Sequence, residues 1–333
     1  MRRRTFLQLM STTTVWPLAS RANQPREPYR LAFVHSGLPA HELTETQGPF
    51  WVRQFFTSLR RLGHSEGSDL LVERYSAEGH DNRFGALTHA VVARQPDIIV
   101  TNSNALVAVF KQATATIPIV SVVADPVRSG LVASLARPGG NVTGVSIDAG
   151  IEIYGKRLQL LKTLVPSAGR MGHLARQTEW DSVFGRQLRE AGRQIGVEVT
   201  GMLPRQVTAE ELRRTLGEAP STPVSAALVS ASGDFLAHRG LIIALAAGAR
   251  LPVLYPYRDY VELGGLAAYG PDQADTAGRL ADQVHRILAG AAPAEMPFHQ
   301  ATRFELVIHL QAARSLGIEV PTSILAQADE VIE

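Results

Sequence analysis

Five short polar stretches in this 333-residue chain each stand directly after an apolar run. They are His35-Ser36-Gly37, Thr101-Asn102-Ser103-Asn104, Asp125-Pro126, Ser230-Ala231-Ser232-Gly233-Asp234 and Tyr255-Pro256-Tyr257-Arg258. Their side chains are mostly hydroxyls, amides and single carboxylates, and several are followed at once by helix-forming sequence. The free N–H groups at a helix start attract carboxylates and phosphates. Groups of this kind can contact a small molecule at the carboxyl ends of strands. The candidate binding residues are Ser36, Asn102, Ser103 and Asp125 from the first part of the chain, and Ser232, Asp234, Tyr255 and Tyr269 from the second. Asp125 precedes Pro126, so extended geometry is expected there, with the carboxylate open to a ligand amine. Tyr255, Tyr257 and Tyr269 offer flat faces for stacking. Each residue also has a plain structural reading. Ser103, Asn104 and Asp234 suit helix N-caps, Asp125 suits a turn, and the tyrosines suit the rim of a core.

Catalytic and cofactor signatures are missing. No Gly-x-Gly-x-x-Gly opens a helix after a strand, and residues 139–144 have the wrong glycine spacing. There is no Walker-type Gly-Lys-Ser/Thr and no Gly-x-Ser-x-Gly elbow. The absence of cysteine excludes disulfides, thiolate metal sites and cysteine nucleophiles. The histidines are scattered: His41-Glu42 lacks the second histidine of a zinc helix, and His299 and His309 flank a strand, so no metal site is expected. No paired acid and base stand out. The sequence therefore implies no cofactor and no enzyme, although an α/β enzyme using the same cleft stays open as an alternative.

The polar stretches must be positioned by a regular scaffold. Apolar runs at 29–34, 97–100 and 117–123, with a further strand at 69–75, alternate with helical spacing at 50–62, 84–93 and 105–113. The pattern restarts with a helix at 151–164 and strands at 171–175, 197–203, 224–229, 252–255 and 265–269. Helices fall at 180–195, 209–216, 235–247 and 272–289, and a late strand at 304–308 precedes a helix ending at Gly317. Strands that are apolar throughout indicate parallel sheets covered on both faces. The fold class is α/β with two Rossmann-like, doubly wound lobes, and ligands of such sheets bind at the carboxyl ends of strands. The alternation alone permits a sequential split or a chain that crosses between lobes several times.

Residues 1–22 have their own character. Met1-Arg2-Arg3-Arg4-Thr5-Phe6 leads into a short apolar stretch and then Ala19-Ser20-Arg21-Ala22. This order is that of a secretory signal peptide cleaved after Ala22, and Arg3-Arg4-Thr5-Phe6-Leu7 resembles a twin-arginine export signal. Removing the segment turns the formal net charge from +2 to −2, because it carries four arginines and no acid. The mild basicity is thus local, no basic stripe remains, and nucleic acid is not an expected partner. Without cysteine there is no lipid anchor, so the expected location is the periplasm, with a soluble protein.

A series of motifs in fixed order carries a resemblance over nearly the whole length. They are Arg3-Arg4-x-Phe6 with Trp16-Pro17-Leu18-Ala19, then Asp125-Pro126-Val127 with Gly130-Leu131-Val132. Arg137-Pro138-Gly139-Gly140-Asn141-Val142-Thr143-Gly144-Val145 follows, then Lys156-Arg157-Leu158-x-Leu160-Leu161. Later come Tyr255-Pro256-Tyr257-Arg258-x-Tyr260-Val261-Glu262-x-Gly264-Gly265-Leu266, Tyr269-Gly270-Pro271, Phe304-Glu305-Leu306-Val307-Ile308 and Ala328-Asp329-Glu330-Val331-Ile332. In this order they resemble the ABC transporter substrate-binding proteins of the group that includes tryptophan-type amino-acid binders.

The resemblance implies a type I periplasmic binding fold: two lobes joined by a multi-strand hinge, with the ligand clamped between them by hinge closure. It favours the crossing arrangement. Residues 140–146 enter the first crossing, 269–272 start the return and 304–310 lie near the third. The implied domains are 29–145 plus about 271–302 for lobe 1, and 146–270 plus about 303–333 for lobe 2. The implied partners are a small organic ligand, such as an amino acid, and the membrane permease of an ABC importer, with the binding protein a monomer. An exported sensory subunit feeding a membrane receptor is the other reading of the same architecture. The chain departs from the family pattern at 171–176, 230–234 and 102–104. These are cleft-facing loops, so ligand identity does not carry over.

Overall fold

A computed structural model describes residues 27–147, 152–217 and 223–333. The expected export signal at 1–22 lies outside the described residues. Five strands come first: β1 (Tyr29–His35), β2 (Leu70–Ser76), β3 (Ile98–Asn102), β4 (Ile119–Val123) and β5 (Val142–Ser146). Five more follow: β6 (Arg170–Leu174), β7 (Glu198–Met202), β8 (Ala226–Val229), β9 (Val253–Tyr255) and β10 (Ala267–Pro271). The chain ends with β11 (His299–Gln300), β12 (Phe304–His309) and β13 (Glu330–Ile332).

The strands form two sheets. The first has the order β11-β5-β4-β3-β1-β2 and the second β13-β12-β10-β9-β8-β6-β7. Every pair in the first sheet is parallel. The second sheet is parallel except where β10 meets β12, with Tyr269 opposite Leu306. A wholly parallel reading of the strands is therefore corrected at this one pair. The reversal has a local cause: the chain leaves β10 for the first sheet and re-enters the second from the opposite direction.

Strand composition follows from coverage on both faces. In β3, Ile98, Ile99 and Val100 are all 0% exposed, as a strand between two helix layers requires. The helix Phe50–Arg61 buries Val52, Phe55, Phe56 and Leu59, one stripe at helical spacing. That stripe faces the helix Gln273–Leu288, which buries Ala277, Leu280, Ala281, Val284 and Leu288. One apolar cluster holds Phe33, Phe55 and Leu38 together with Phe235, Tyr255 and Tyr260, so the two sheets share a core.

The chain passes between sheets three times: after β5, after β10 and after β11. The two-residue β11, which extends the first sheet beside β5, carries no period in the sequence. Two expected helices are each broken in two. Gln177–Asp181 and Val183–Gln194 replace a helix over 180–195, because Ser182 takes extended backbone and its hydroxyl caps Phe184 N–H. Gly233–Ala237 and Arg239–Gly248 replace one over 235–247, with the break at His238. Among the described residues no helix is long and apolar enough to cross a membrane.

Candidate functional site

The loops after β1, β3 and β4 are knitted together by side chains. His35 is buried beside Trp51, with ring centroids 5.9 Å apart. Burial pushes its pKa down to about 3, so the imidazole is neutral. Its Nδ1 accepts the N–H groups of Gly37 (3.0 Å) and Leu38 (2.8 Å). Accepting at Nδ1 places the ring proton on Nε2. Asn102 Oδ1 accepts the Ser36 N–H at 2.9 Å, and its Nδ2 donates to Ser36 Oγ at 3.0 Å. Ser36 and Asn102 are therefore one hydrogen-bonded unit.

Ser103 occupies the N-cap position of the helix Asn104–Ala113, but its side chain makes no capping bond and its φ is +71°. A non-glycine residue held in that region costs about 1–3 kcal/mol and such strain concentrates at ligand-binding sites. Asn104 ties its helix start to the next loop, accepting the Ala124 N–H at 3.0 Å and donating to Ser129 Oγ at 2.8 Å.

Asp125 departs from expectation. Its φ is +34°, not extended. The carboxylate turns inward on its own loop, accepting the Arg128 N–H at 2.9 Å and pairing with Arg128 Nε at 3.0 Å. The local turn outweighs the restriction that Pro126 imposes.

The second sheet contributes a matching set. Ser232 begins the helix Gly233–Ala237 and its hydroxyl donates to Asp234 Oδ1 at 2.5 Å. Asp234, 5% exposed, also accepts Arg176 Nε at 2.6 Å. Behind them Ser230 Oγ and His173 Nε2 both contact the carboxylate of Glu179, at 2.5 Å and 3.1 Å. Burial opposes the charge on Glu179, yet these two hydrogen bonds hold its pKa below the ordinary value. The Tyr257 hydroxyl donates to the Ala231 carbonyl at 3.0 Å and fixes the 230–234 loop.

The two sets meet. A Cβ on Gly37 would lie 2.5 Å from the carbonyl carbon and oxygen of Gly233 and 2.6 Å from Asp234 N. A Cβ on Gly233 would lie 2.9 Å from His35 Cε1, 3.2 Å from Ser36 Oγ and 3.3 Å from Asn102 Nδ2. Glycine at both positions permits backbone contact between the halves. Arg176 ties them: besides Asp234 it reaches Asp81 at 3.0 Å and the Gly79 carbonyl at 3.3 Å, both on the first-sheet side. Burial works against its charge, but Asp234 and Asp81 raise its pKa overall. A cavity of 330 Å³ opens beside this tie, lined by Gly79, Asp81, Arg176, Gln177, Arg205 and Thr208 among others. Further out, Arg239 pairs with Glu42 at 2.6 Å. Asp259 accepts the Phe50 N–H at 2.5 Å, so a carboxylate from the second half caps a helix of the first.

Of the expected residues, Ser36, Asn102, Ser232 and Asp234 are brought together here. Asp125 is engaged in its own turn. Tyr255 is 2% exposed and stacks on Tyr260, with centroids 4.7 Å apart. Tyr269 stacks on Phe304 at 6.0 Å. The faces by which these two tyrosines stack are thus occupied by other rings. His35 and Arg176 join the site although sequence reasoning did not select them. His35 stood inside a selected loop, and its place directly before Ser36 was the available signal. Arg176 closed a segment noted only for departing from a pattern.

Comparisons with known proteins agree with one another. The pattern of the family described as ABC transporter substrate binding protein matches residues 51–332. A tyrosine-binding protein of Clostridioides difficile (strain R20291) is 23% identical over 269 residues, covering 80% of this chain and 76% of that protein. A structure from Streptococcus pneumoniae, an ABC domain in complex with L-Trp, superposes with a TM-score of 0.75 at 21% identity, covering 92% of this chain and 100% of that one. A conserved domain protein from Vibrio cholerae superposes with a TM-score of 0.77 at 25% identity, with the same coverage.

Proposed function

Since the chain belongs to the ABC transporter substrate-binding protein family, we propose that it is the exported binding component of an importer and clamps an amino acid between two lobes. The carrying observation is the meeting of the strand-end loops of both sheets, Gly37 against Gly233, with Arg176 bridging Asp234 to Asp81. A clamp needs facing polar loops on separate supports, with crossings near one another to act as a hinge. The lobes are residues 29–145 with 271–302, and 146–270 with 303–333. The loops at Ser36, Asn102 and Ser103 hold the ligand first, and Ser232 and Asp234 are added on closure. The amino-acid class is supported by the tyrosine-binding relative and the L-Trp complex. The closed form docks on a membrane permease in the periplasm, and the protein acts as a monomer.

Closure moves a two-state population towards the form with the higher ligand affinity. Calorimetry and small-angle scattering against a panel of amino acids and other small organic solutes test this. Binding with a ligand-dependent decrease in radius of gyration is expected. The absence of compaction with every solute that binds refutes the clamp.

A further inference from the structure

Arg157 is a buried cation that no carboxylate pairs with among the described residues. It lies in the helix Glu152–Leu164, is 6% exposed, and forms no ion pair among the described residues. Its Nε donates to the Tyr269 carbonyl at 2.8 Å. Among the described residues the two terminal nitrogens have no further hydrogen-bond partner. The nearby Glu179 is engaged by His173 and Ser230 and stops short of pairing with it. Burying an ion this deeply is strongly unfavourable unless something compensates it. The guanidinium fork presents paired donors that match a carboxylate in bidentate geometry.

Its surroundings connect it to the clamp. A Cβ on Gly270 would lie 3.5 Å from Arg157 Nη2, so the fork lies beside the end of β10, where the chain leaves the second sheet. Tyr154, Tyr257, Tyr269 and Glu179 all act electrostatically on Arg157. Tyr257 holds Ala231, and Ser230 holds Glu179, so the same loop that meets Gly37 rests on the shell around this arginine. We propose that the open fork of Arg157 is the anchor for a carboxylate on the bound solute, and that the ligands of this protein are carboxylates. The inference rests on the clamp reading and adds to it the ligand's charge and the residue that recognises it. Glu179 acts on the charge only through space, and among the described residues the two terminal nitrogens have no acceptor. A neutral solute leaves them so, and a carboxylate supplies both charge and two acceptors.

The test is a set of matched probes on the full mature chain. L-tyrosine, L-tryptophan and sodium benzoate are compared with L-tyrosinamide, L-tryptophanamide and benzamide by calorimetry and thermal shift. Wild type is expected to bind carboxylates and to lose at least about tenfold in affinity for each amide, the scale of one charge-assisted hydrogen bond. Arg157→Gln is expected to abolish that preference, and Arg157→Lys to restore part of it, since lysine keeps the charge and loses the fork. The wild-type comparison stands even if a variant fails to fold. Amides bound as tightly as carboxylates overturn the proposal, as does an Arg157→Gln protein that keeps the preference. Compaction with a neutral solute alone overturns this proposal and leaves the clamp intact. Silence of wild type towards every probe overturns it as well, and absence of any binding in the wider solute panel brings down the clamp too.

Discussion

Gly37→Ala is the most direct test of closure, because it adds one methyl group where the two halves touch. The new Cβ would stand 2.5 Å from two backbone atoms of Gly233 and 2.6 Å from Asp234 N. Ordinary carbon contacts lie at about 3.5–4.0 Å, so roughly 1 Å must be recovered. The opposing atoms are main chain at the start of the helix Gly233–Ala237 and cannot rotate aside. Gly37 itself lies outside the left-handed region, so alanine fits its local backbone. Relief therefore comes from moving the halves apart. Overpacking of this kind costs about 1–3 kcal/mol, which is a loss of roughly 5- to 150-fold in apparent affinity when binding requires the closed state. Circular dichroism is expected to match wild type, while calorimetry shows weaker binding and scattering shows less ligand-induced compaction. Gly233→Ala meets side-chain atoms of His35, Ser36 and Asn102 instead and is expected to have the smaller effect. Wild-type affinity and compaction in Gly37→Ala would refute closure through this contact.

Two further predictions concern pH. His35 stays neutral in the fold to about pH 3, whereas the unfolded chain takes up that proton near its ordinary pKa of 6.5. Its contribution to stability is therefore full above pH 6.5 and lost as the pH falls towards 3, at up to about 1.4 kcal/mol per unit. In the folded protein the proton arrives only near pH 3, where it removes the acceptor that holds Gly37 and Leu38, so ligand affinity falls at that lower pH and not across the window in which stability is lost. His35→Gln is expected to flatten the acid limb of a thermal-stability profile, and an unchanged limb refutes the assignment. Glu305 behaves oppositely: burial raises its carboxyl to about 7 although Arg258 lies 3.1 Å away and lowers it. Its stabilising share is present below about pH 4.5 and lost as the pH rises towards 7. Melting temperatures of wild type are expected to decline across that window, and Glu305→Gln to decline less; parallel curves refute it.

The scaffold was legible because parallel strands announce themselves as apolar runs, and the loops after β1, β3 and β8 follow directly from where those runs stop. Ser36, Asn102, Ser232 and Asp234 were reachable by that rule alone. The extended backbone expected at Asp125 is not found, because the proline restriction was weighed without the Arg128 that closes the turn. The sequence offered Tyr255 and Tyr269 as stacking faces or core rim and carried no sign that Tyr260 and Phe304 stack on them. Arg157 entered the sequence reading only as part of the Lys156-Arg157-Leu158 motif, with no role attached to it. Its burial depends on tertiary neighbours, among them β10, whose Tyr269 carbonyl accepts its Nε. The breaks at Ser182 and His238 fall within continuous helical periodicity, where local capping decides.

The three passages between sheets bear on how the chain is made. The first sheet ends at β11, residues 299–300, and its helix Phe50–Arg61 is covered by Gln273–Leu288. The apolar cluster of the second sheet draws on Leu306, Ile308, Ala313 and Ile324. A ribosome that has released the first 270 residues has therefore delivered neither half in full: Phe55 and Leu59 still lack their cover, and the second sheet lacks an edge. Domains usually mature in order as they emerge during synthesis. Here both must wait for residues beyond 270, and a nascent chain carries unfinished apolar surface until those residues emerge. Until then that exposed surface is open to aggregation and to the chaperones that shield it.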